Sequence, residues 1–400
     1  MWHDLGVIGK PAGLPLHLTA ATLLRVSAEG VATALVLTVQ ARTGDAATAG
    51  YLQAAMTLPY VLSGPVIGNV VDRVARPRRV AVAMAVGYAA ATALLLLLAG
   101  RSPLVLALCV AAVIGCTEPV VVALTSLLPR FVPAERLSRA YGLEASSFNL
   151  AAIAGPGLAA ALAGAMGGQY AGLAIVASGI LGVLALPLLP FPGASGGAQK
   201  VSGVVMGGFT VLAEGRVLRA LTTATTLAWL GFGGVAVTAV LLAEHLGAEP
   251  SAGGRLLVAM AVGSLAGSLA SSRWLRPRHA VPVMLAGLVA FGTALATLAV
   301  VPSVPWAMAA FAVAGMVEGP VFAATLMLRQ RESPPDRLGQ VNTTAGSLKI
   351  AASAVGAGLT AVSADAVGAV GLVLAIASFQ FVGAGLGLLL LRFPRRPADG

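Results

Sequence analysis

Charged residues are scarce in this sequence. Asp, Glu, Lys and Arg make up 10% of the 400 residues, whereas soluble domains carry roughly a quarter. Hydrophobic residues make up 58%, and a soluble protein of this length has too little interior to hide that much apolar surface from water. The scarcity of charge therefore excludes a water-soluble globular domain, and lipid must surround most of the chain.

Residues that bind metals or nucleotides are also few. The four histidines are scattered, and Cys109 and Cys116 stand seven positions apart in one apolar run, so they cannot bridge each other. The sequence contains no Gly-x-x-x-x-Gly-Lys-Ser/Thr loop to cradle phosphates. We therefore expect no metal, no cofactor, no ATP-driven step in this chain and no enzymatic activity.

Long apolar runs are abundant. A membrane-spanning helix needs roughly 20 mostly apolar residues, and twelve such runs follow one another. They lie near residues 18–40, 48–70, 80–100, 104–127, 143–165, 170–190, 219–243, 252–272, 281–301, 304–328, 343–364 and 367–391. The sequence thus predicts an all-α integral membrane protein with twelve transmembrane helices.

The basic residues are concentrated on one side of this topology. Alternate loops and the termini hold 20 of the 25 Lys and Arg residues, with Arg329 among them. The other side holds only Arg42, Arg101 and Arg255. By the positive-inside rule both termini are expected in the cytoplasm. The same bias explains the net charge of +10 without a nucleic-acid partner.

The two halves of the chain repeat each other. Gly115 and Glu118 in the fourth run match Gly315 and Glu318 in the tenth at an offset of 200. Further matches in loops and spans keep the same order at nearly the same offset, which chance does not explain. The predicted division is an N-terminal six-helix half at 1–190, a cytoplasmic linker with a short surface helix at 191–217, and a C-terminal six-helix half at 218–400.

The end of the second run and the loop after it carry a motif with Gly64, Gly68, Asp72, Arg73 and Arg76. It resembles the signature loop of the major facilitator superfamily of transporters. The resemblance implies two halves with a substrate site midway between them, and a cytoplasmic gate that contains the aspartate. The glycines allow close helix packing, and the eleventh span is predicted to offer its positive N-terminal end to the aspartate. The alternative to a gate is that this basic loop only fixes the orientation of the second span in the membrane.

The second copy of this motif differs from the first. Ser271 stands where the aspartate is expected, so we expect charge latching in the first copy only.

Two weaker resemblances point to exporters. Gly155 and Pro156 in the fifth span resemble a motif of drug/proton antiporters and predict a kink, which can also be purely structural. The residues from Leu24 to Gly30 resemble those of bacterial facilitators that export siderophores and drugs. The arginine expected four residues before Gly115 is absent, which leaves the mechanism of proton coupling open.

Ionisable residues inside the spans are candidates for function. Glu29, Glu118 and Glu318 lie in the first, fourth and tenth spans, where a charged side chain costs at least ~2.5–3.5 kcal/mol to insert. In the superfamily these spans line the substrate cavity. The alternative is structural pairing, because Arg25 lies one helical turn before Glu29 and can neutralise it.

Three further residues are candidates for the cavity wall. Trp229 and Phe232 in the seventh span and Met316 in the tenth offer apolar surface to a bulky substrate. Lipid contact or helix packing is the alternative interpretation.

Together these features predict a secondary active transporter in the inner (plasma) membrane. We expect a monomer that exports a small hydrophobic or amphipathic compound, a drug or secondary metabolite, in exchange for protons. Glu118 and Glu318 are the predicted carriers of the coupled proton, with Glu29 and Arg25 as further candidates for coupling or substrate binding. A metabolite importer of the same fold and a non-transporting membrane receptor are the alternatives.

Overall fold

The structure is a computed structural model that describes residues 13–44, 46–73, 77–189, 201–249 and 252–392. Regular structure within these ranges is helical throughout. The first helices are α1 (Gly13–Thr43), α2 (Ala46–Arg73), α3 (Pro77–Leu98), α4 (Leu104–Thr117), α5 (Pro119–Ala123), α6 (Leu128–Phe131), α7 (Leu137–Met166) and α8 (Leu173–Ala185). They are followed by α9 (Val201–Glu214), α10 (Arg216–Phe232), α11 (Val235–His245), α12 (Ala252–Trp274), α13 (Ala280–Ala296), α14 (Val304–Glu332) and α15 (Leu338–Arg392).

Most of these helices are suited to a bilayer. Ten helices in the described residues are long and apolar enough to cross a membrane, and the count is eleven if α10 and α11, bent by 41°, form one span. Large apolar side chains such as Leu58, Leu62 and Val362 are exposed, which suits contact with lipid rather than water. The predicted all-α integral membrane fold is confirmed.

Helix α15 is too long for a single crossing. Its 55 residues would extend about 80 Å at 1.5 Å per residue, whereas the hydrocarbon core is roughly 30 Å thick. Gly368 breaks it into two helices, because its φ of 69° lies in the left-handed region that glycine tolerates. Counting these two separately would bring the total to the predicted twelve, and that number stays a prediction.

The internal repeat is visible in the packing. Ser63 of α2 donates a hydrogen bond to the carbonyl oxygen of Gly115 on α4 at 3.1 Å. Ser264 of α12 donates to the carbonyl oxygen of Gly315 on α14 at 3.2 Å. Both glycines bring helix backbones together, since a Cβ on either would collide with the facing helix. The same helix contact therefore occurs once in each half, at the offset read from the sequence.

The chain divides into two compact units. The first ends at Gly208 and also contains Pro334–Ser347, which includes the start of α15. The second consists of Phe209–Ser333 together with the residues from Leu348 onward. The start of α15 thus packs with the N-terminal helices, while the predicted boundaries at 190 and 218 stay predictions.

Candidate functional site

A cavity of about 620 Å³, including the part open to solvent, lies in the second unit. Its lining residues are Thr225, Ala228, Trp229, Phe232, Leu288, Phe291, Glu318, Val321, Phe322, Thr325, Arg329, Lys349 and Gln380. The cavity therefore brings together three of the residues singled out in the sequence, Trp229, Phe232 and Glu318. Met316 is not in this lining set and is 53% exposed elsewhere on α14.

One face of α14 forms a wall of the cavity. Glu318, Phe322, Thr325 and Arg329 follow one another at steps of four, three and four residues. Side chains with this spacing lie above one another on one side of a helix. The wall changes from a carboxylate through an aromatic ring and a hydroxyl to a guanidinium over about 16 Å.

The carboxylate end of this wall is held by polar neighbours. Ser264 on α12 donates a hydrogen bond to Glu318 Oε2 at 2.7 Å, and the Lys349 ammonium lies within electrostatic reach of the same carboxylate. Lys349 Nζ also stands 3.5 Å from the ring centre of Trp229 and 5.0 Å from that of Phe322. An ammonium over an aromatic face is attracted by the ring quadrupole, so Lys349 links the acid to the aromatic wall.

The aromatic wall continues away from Lys349. The rings of Trp229 and Phe232 meet edge to face with centroids 4.9 Å apart, and Phe232 lies 6.0 Å from Phe291. These rings offer an apolar body of substrate a rigid, extended contact surface.

Arg329 occupies a different place from the one the sequence suggested. The sequence places Arg329 among the loop arginines, whereas α14 continues to Glu332 and leaves Arg329 only 7% exposed. Its Nε has no hydrogen-bond partner among the described residues. The prediction failed because the apolar run ends before the helix does. The 11-residue spacing from Glu318, three helical turns, was the signal that it shares the cavity face.

The first unit contains a buried charge cluster that the sequence did not reveal. Arg25 donates to Glu144 Oε1 at 2.5 Å and to Thr125 Oγ1 at 3.1 Å. His17 Nε2 lies 3.2 Å from Glu144 Oε2, and the Arg25 guanidinium stacks 3.6 Å from the Phe148 ring centre. Arg25 and Glu144 are 1% and 0% exposed. The contacts of Arg25 therefore go to Glu144, and the suggested pairing of Arg25 with Glu29 is wrong.

Glu29 and Glu118 have different surroundings. Glu29 is exposed on α1. Glu118 stands at the junction where α4 ends and Pro119 starts α5, partly exposed and within electrostatic reach of Glu29. Two acids influence each other here, whereas the repeat-related Glu318 has a serine donor and a lysine.

Asp72 meets the beginning of α15 within the first unit. Its Oδ1 accepts a hydrogen bond from the Gly339 N–H at 3.0 Å and its Oδ2 from the Gln340 N–H at 2.8 Å. The first N–H groups of a helix have no partners within the helix and carry partial positive charge. The carboxylate thus satisfies two of them, and we call this contact the aspartate latch.

The motif glycines make the latch possible. A Cβ on Gly64 would collide with Ser347 Oγ, and one on Gly68 would collide with Thr343 Oγ1 and lie 2.5 Å from the Gly339 carbonyl oxygen. Glycine at both positions therefore lets α2 lie directly against the start of α15.

The remaining motif positions contribute less. Helix α2 ends at Arg73, and the predicted gate residue Arg76 lies outside the described residues. In the second copy, Ser271 donates its hydroxyl to the Ser268 carbonyl oxygen of its own helix at 2.8 Å. The serine therefore makes a local hydrogen bond where the first copy has the aspartate latch.

The predicted kink residues lie inside the continuous helix α7, which runs through Pro156. A Cβ on Gly155 would lie 2.6 Å from the Gly30 nitrogen and 2.7 Å from the Val26 carbonyl oxygen. Gly155 thus allows close contact between the backbones of α7 and α1, the two helices that hold Glu144 and Arg25 of the charged cluster.

Comparison with known proteins agrees with a membrane transporter fold built from two repeated parts. The Major Facilitator Superfamily matches residues 18–220 and 221–400. The chain is 29% identical over 378 residues to the uncharacterized MFS-type transporter y4rN of Sinorhizobium fredii (strain NBRC 101917 / NGR234), with 89% of both chains covered. It is 27% identical over 341 residues to the multidrug efflux pump Tap of Mycolicibacterium fortuitum, covering 81% of this chain and 82% of the pump.

A solved structure supports the fold. The human organic anion transporter MFSD10 (TETRAN) superposes with a TM-score of 0.80 at 16% identity, over 95% of this chain and 100% of that one. At this identity the likeness concerns the fold alone. With nearly the whole sequence matched in two consecutive parts, the chain belongs to the Major Facilitator Superfamily.

Proposed function

We propose that this transporter is a proton-coupled exporter of small amphipathic compounds that works by alternating access. The observation that carries the proposal is the cavity of the second unit, in which Glu318 stands beside an aromatic wall. Proton relays in membrane transporters use ionisable side chains such as Asp, Glu and His, which can be both protonated and deprotonated. The cavity provides the carboxylate and the substrate surface together.

Glu318 has two alternative ways to avoid an uncompensated negative charge in its site. It can bind a proton, or it can stay ionised and rely on Lys349 and the Ser264 hydroxyl. A substrate that settles on Trp229 and Phe322 competes for the rings that Lys349 covers. Substrate binding therefore changes how well Lys349 stabilises the ionised carboxylate of Glu318. This change is the physical basis that we propose for the exchange of substrate against a proton.

Export is favoured over import by one relative. The multidrug efflux pump Tap is 27% identical across four fifths of this chain. We accordingly propose outward transport across the inner (plasma) membrane, with both termini in the cytoplasm, and the aspartate latch as a gate on the cytoplasmic side.

The test compares Glu318→Gln with wild type. A growth assay of an efflux-deficient host with a compound panel first selects a substrate. Purified protein in proteoliposomes is then given an imposed pH gradient, and uphill accumulation and proton release are recorded. We expect Glu318→Gln to abolish both while downhill exchange continues, because the amide keeps the shape but cannot carry the proton.

Glu332→Gln is the matched control, since Glu332 lies on the same helix, is partly exposed and pairs with Arg331 at 2.7 Å. It should transport like wild type. The companion variant Glu118→Gln shows whether the repeat-related acid shares the role. If the double variant of Glu118 and Glu318 still concentrates substrate, the coupling site lies elsewhere and the proposal fails.

A further inference from the structure

Arg329 is a buried cation without a counter-charge in the described part of the chain. It exposes 7% of its surface, and neither an ion pair nor a hydrogen bond from its guanidinium is present among the described residues. Taking a charge out of water without a partner costs several kcal/mol. Such a group suits a site in which the partner arrives with a ligand.

Arg25 shows what a structural arginine looks like in this protein. It is as deeply buried as Arg329, yet it is paired with Glu144 and hydrogen-bonded to Thr125 and Ser147, with Phe148 against its face. The fold is thus able to give a buried guanidinium a carboxylate, two hydroxyl acceptors and an aromatic ring, although the Arg25 Nε also has no hydrogen-bond partner among the described residues. Arg329 has none of these and lines a cavity instead.

The internal repeat indicates that the fold does not need a cation at this position. With the offset of 200 that relates Glu118 to Glu318 the counterpart of Arg329 is Pro129, and with the offset of 201 that relates Ser63 to Ser264 it is Leu128, so neither offset gives a cation. Leu128 is fully buried in α6 of the first unit. An apolar side chain therefore fills the equivalent position of the first unit, and an arginine is present at this position in the second unit only.

The charges around the cavity point to the sign of the ligand. Its ionisable lining residues are Glu318, Lys349 and Arg329. Glu318 and Lys349 lie within electrostatic reach of each other, while Arg329 follows Phe322 by seven residues, about 10 Å along α14. An unbalanced positive charge thus stands at the far end of an aromatic wall.

We propose that this cavity binds amphipathic organic anions, with a carboxylate, sulfonate or phosphate on Arg329 and an aromatic body against Phe322 and Trp229. The inference rests on the proposed transport function and names its substrate class. A guanidinium presents several N–H donors in a planar fork that matches such oxyanions. The separation of about 10 Å along α14 between Phe322 and Arg329 is comparable to the length of a bicyclic aromatic acid.

The test is equilibrium binding to the purified full chain in detergent at pH 7.5. Tritiated 2-naphthylacetate is the probe, and 2-(2-naphthyl)ethanol and 2-naphthylmethylamine are competitors with the same ring but a neutral or cationic head. We expect the acid to bind at least about tenfold more tightly than the alcohol, as a charge-assisted pair provides, and the amine to bind most weakly. Equal affinities for acid and alcohol in wild type would overturn the proposal without any variant.

Variants then test whether Arg329 is the cation that binds the acidic group of the probe. Arg329→Met should weaken the acid at least about tenfold and leave the alcohol within about twofold, while Arg329→Lys keeps part of the preference. Arg331→Met is the matched control, because Arg331 lies on the same helix, is exposed and pairs with Glu332. Equal weakening by Arg329→Met and Arg331→Met would contradict the assignment.

A lipid headgroup is the competing source of an anion. Mixed micelles with phosphatidylglycerol should leave binding of the acid unchanged, whereas displacement that depends on Arg329 would assign the arginine to lipid and overturn the proposal. Binding in detergent needs no gradient. Failure of uphill transport with intact acid binding therefore rejects proton-coupled export alone, and loss of acid preference with intact transport rejects the anion site alone.

Discussion

The Asp72→Asn substitution weakens the aspartate latch in a way that the structure allows us to calculate. Asp72 accepts two hydrogen bonds, at 3.0 and 2.8 Å, from the first N–H groups of α15. Asparagine has one acceptor oxygen, so one of these bonds is lost and an amide N–H2 faces a backbone donor. The negative charge next to the positive end of the helix disappears as well.

The two losses can be added. One hydrogen bond to a charged group contributes about 1.5–3 kcal/mol, and a charge at a helix N-terminus contributes about 0.3–1 kcal/mol. The latch should therefore be weaker by about 2–4 kcal/mol, and since every 1.4 kcal/mol is tenfold, the opening equilibrium should shift by about 30-fold to about 1,000-fold.

A cysteine inside the contact reports the opening. Thr343 is fully buried against Gly68 in the first unit, and Thr343→Cys changes its volume little. In a chain whose two native cysteines are replaced by alanine, N-ethylmaleimide should label this position slowly when Asp72 is present. With Asp72→Asn the labelling rate should rise by the factor given above, and transport should fall strongly while membrane insertion stays normal.

The second copy of the motif provides the control for this prediction. Ser271→Ala removes only a hydroxyl that bonds within its own helix, so labelling and transport should remain close to wild type. Unchanged labelling in Asp72→Asn, or equal effects of the two substitutions, would refute the latch and leave the motif as a topology anchor.

The remaining predictions concern topology, stability and packing. In intact cells, a single cysteine at Arg78 should react with permeant reagents only, and reaction with impermeant ones would reverse the orientation. Glu144→Gln removes the charged partner of buried Arg25 and should lower the free energy of unfolding by about 3–5 kcal/mol; an unchanged unfolding midpoint in detergent would contradict this. Gly155→Leu should destabilise the protein strongly, while Gly157→Leu, whose Cβ meets open space, should be tolerated in the same melting assay.

Local composition and the repeat explain why much of the fold was predictable. Apolar runs report spans directly because each span must be apolar along its own length. The predicted topology also indicated the aspartate latch, since the carboxylate at the end of α2 and the start of α15 fall on the same predicted side of the membrane. The match between Gly115 and Gly315 in the sequence returns as the same helix contact in the structure.

The sequence by itself therefore determined the membrane-spanning, two-half architecture and the residues of the motif. Only the tertiary structure decided which charges meet. The pairing of Arg25 with Glu144, 119 residues apart, depends on how α1 packs against α7, and sequence proximity suggested Glu29 instead. Arg329 likewise read as a loop residue until the continuation of α14 buried it. Long-range partners and burial depend on packing between helices, and hydropathy along the chain reports each helix separately.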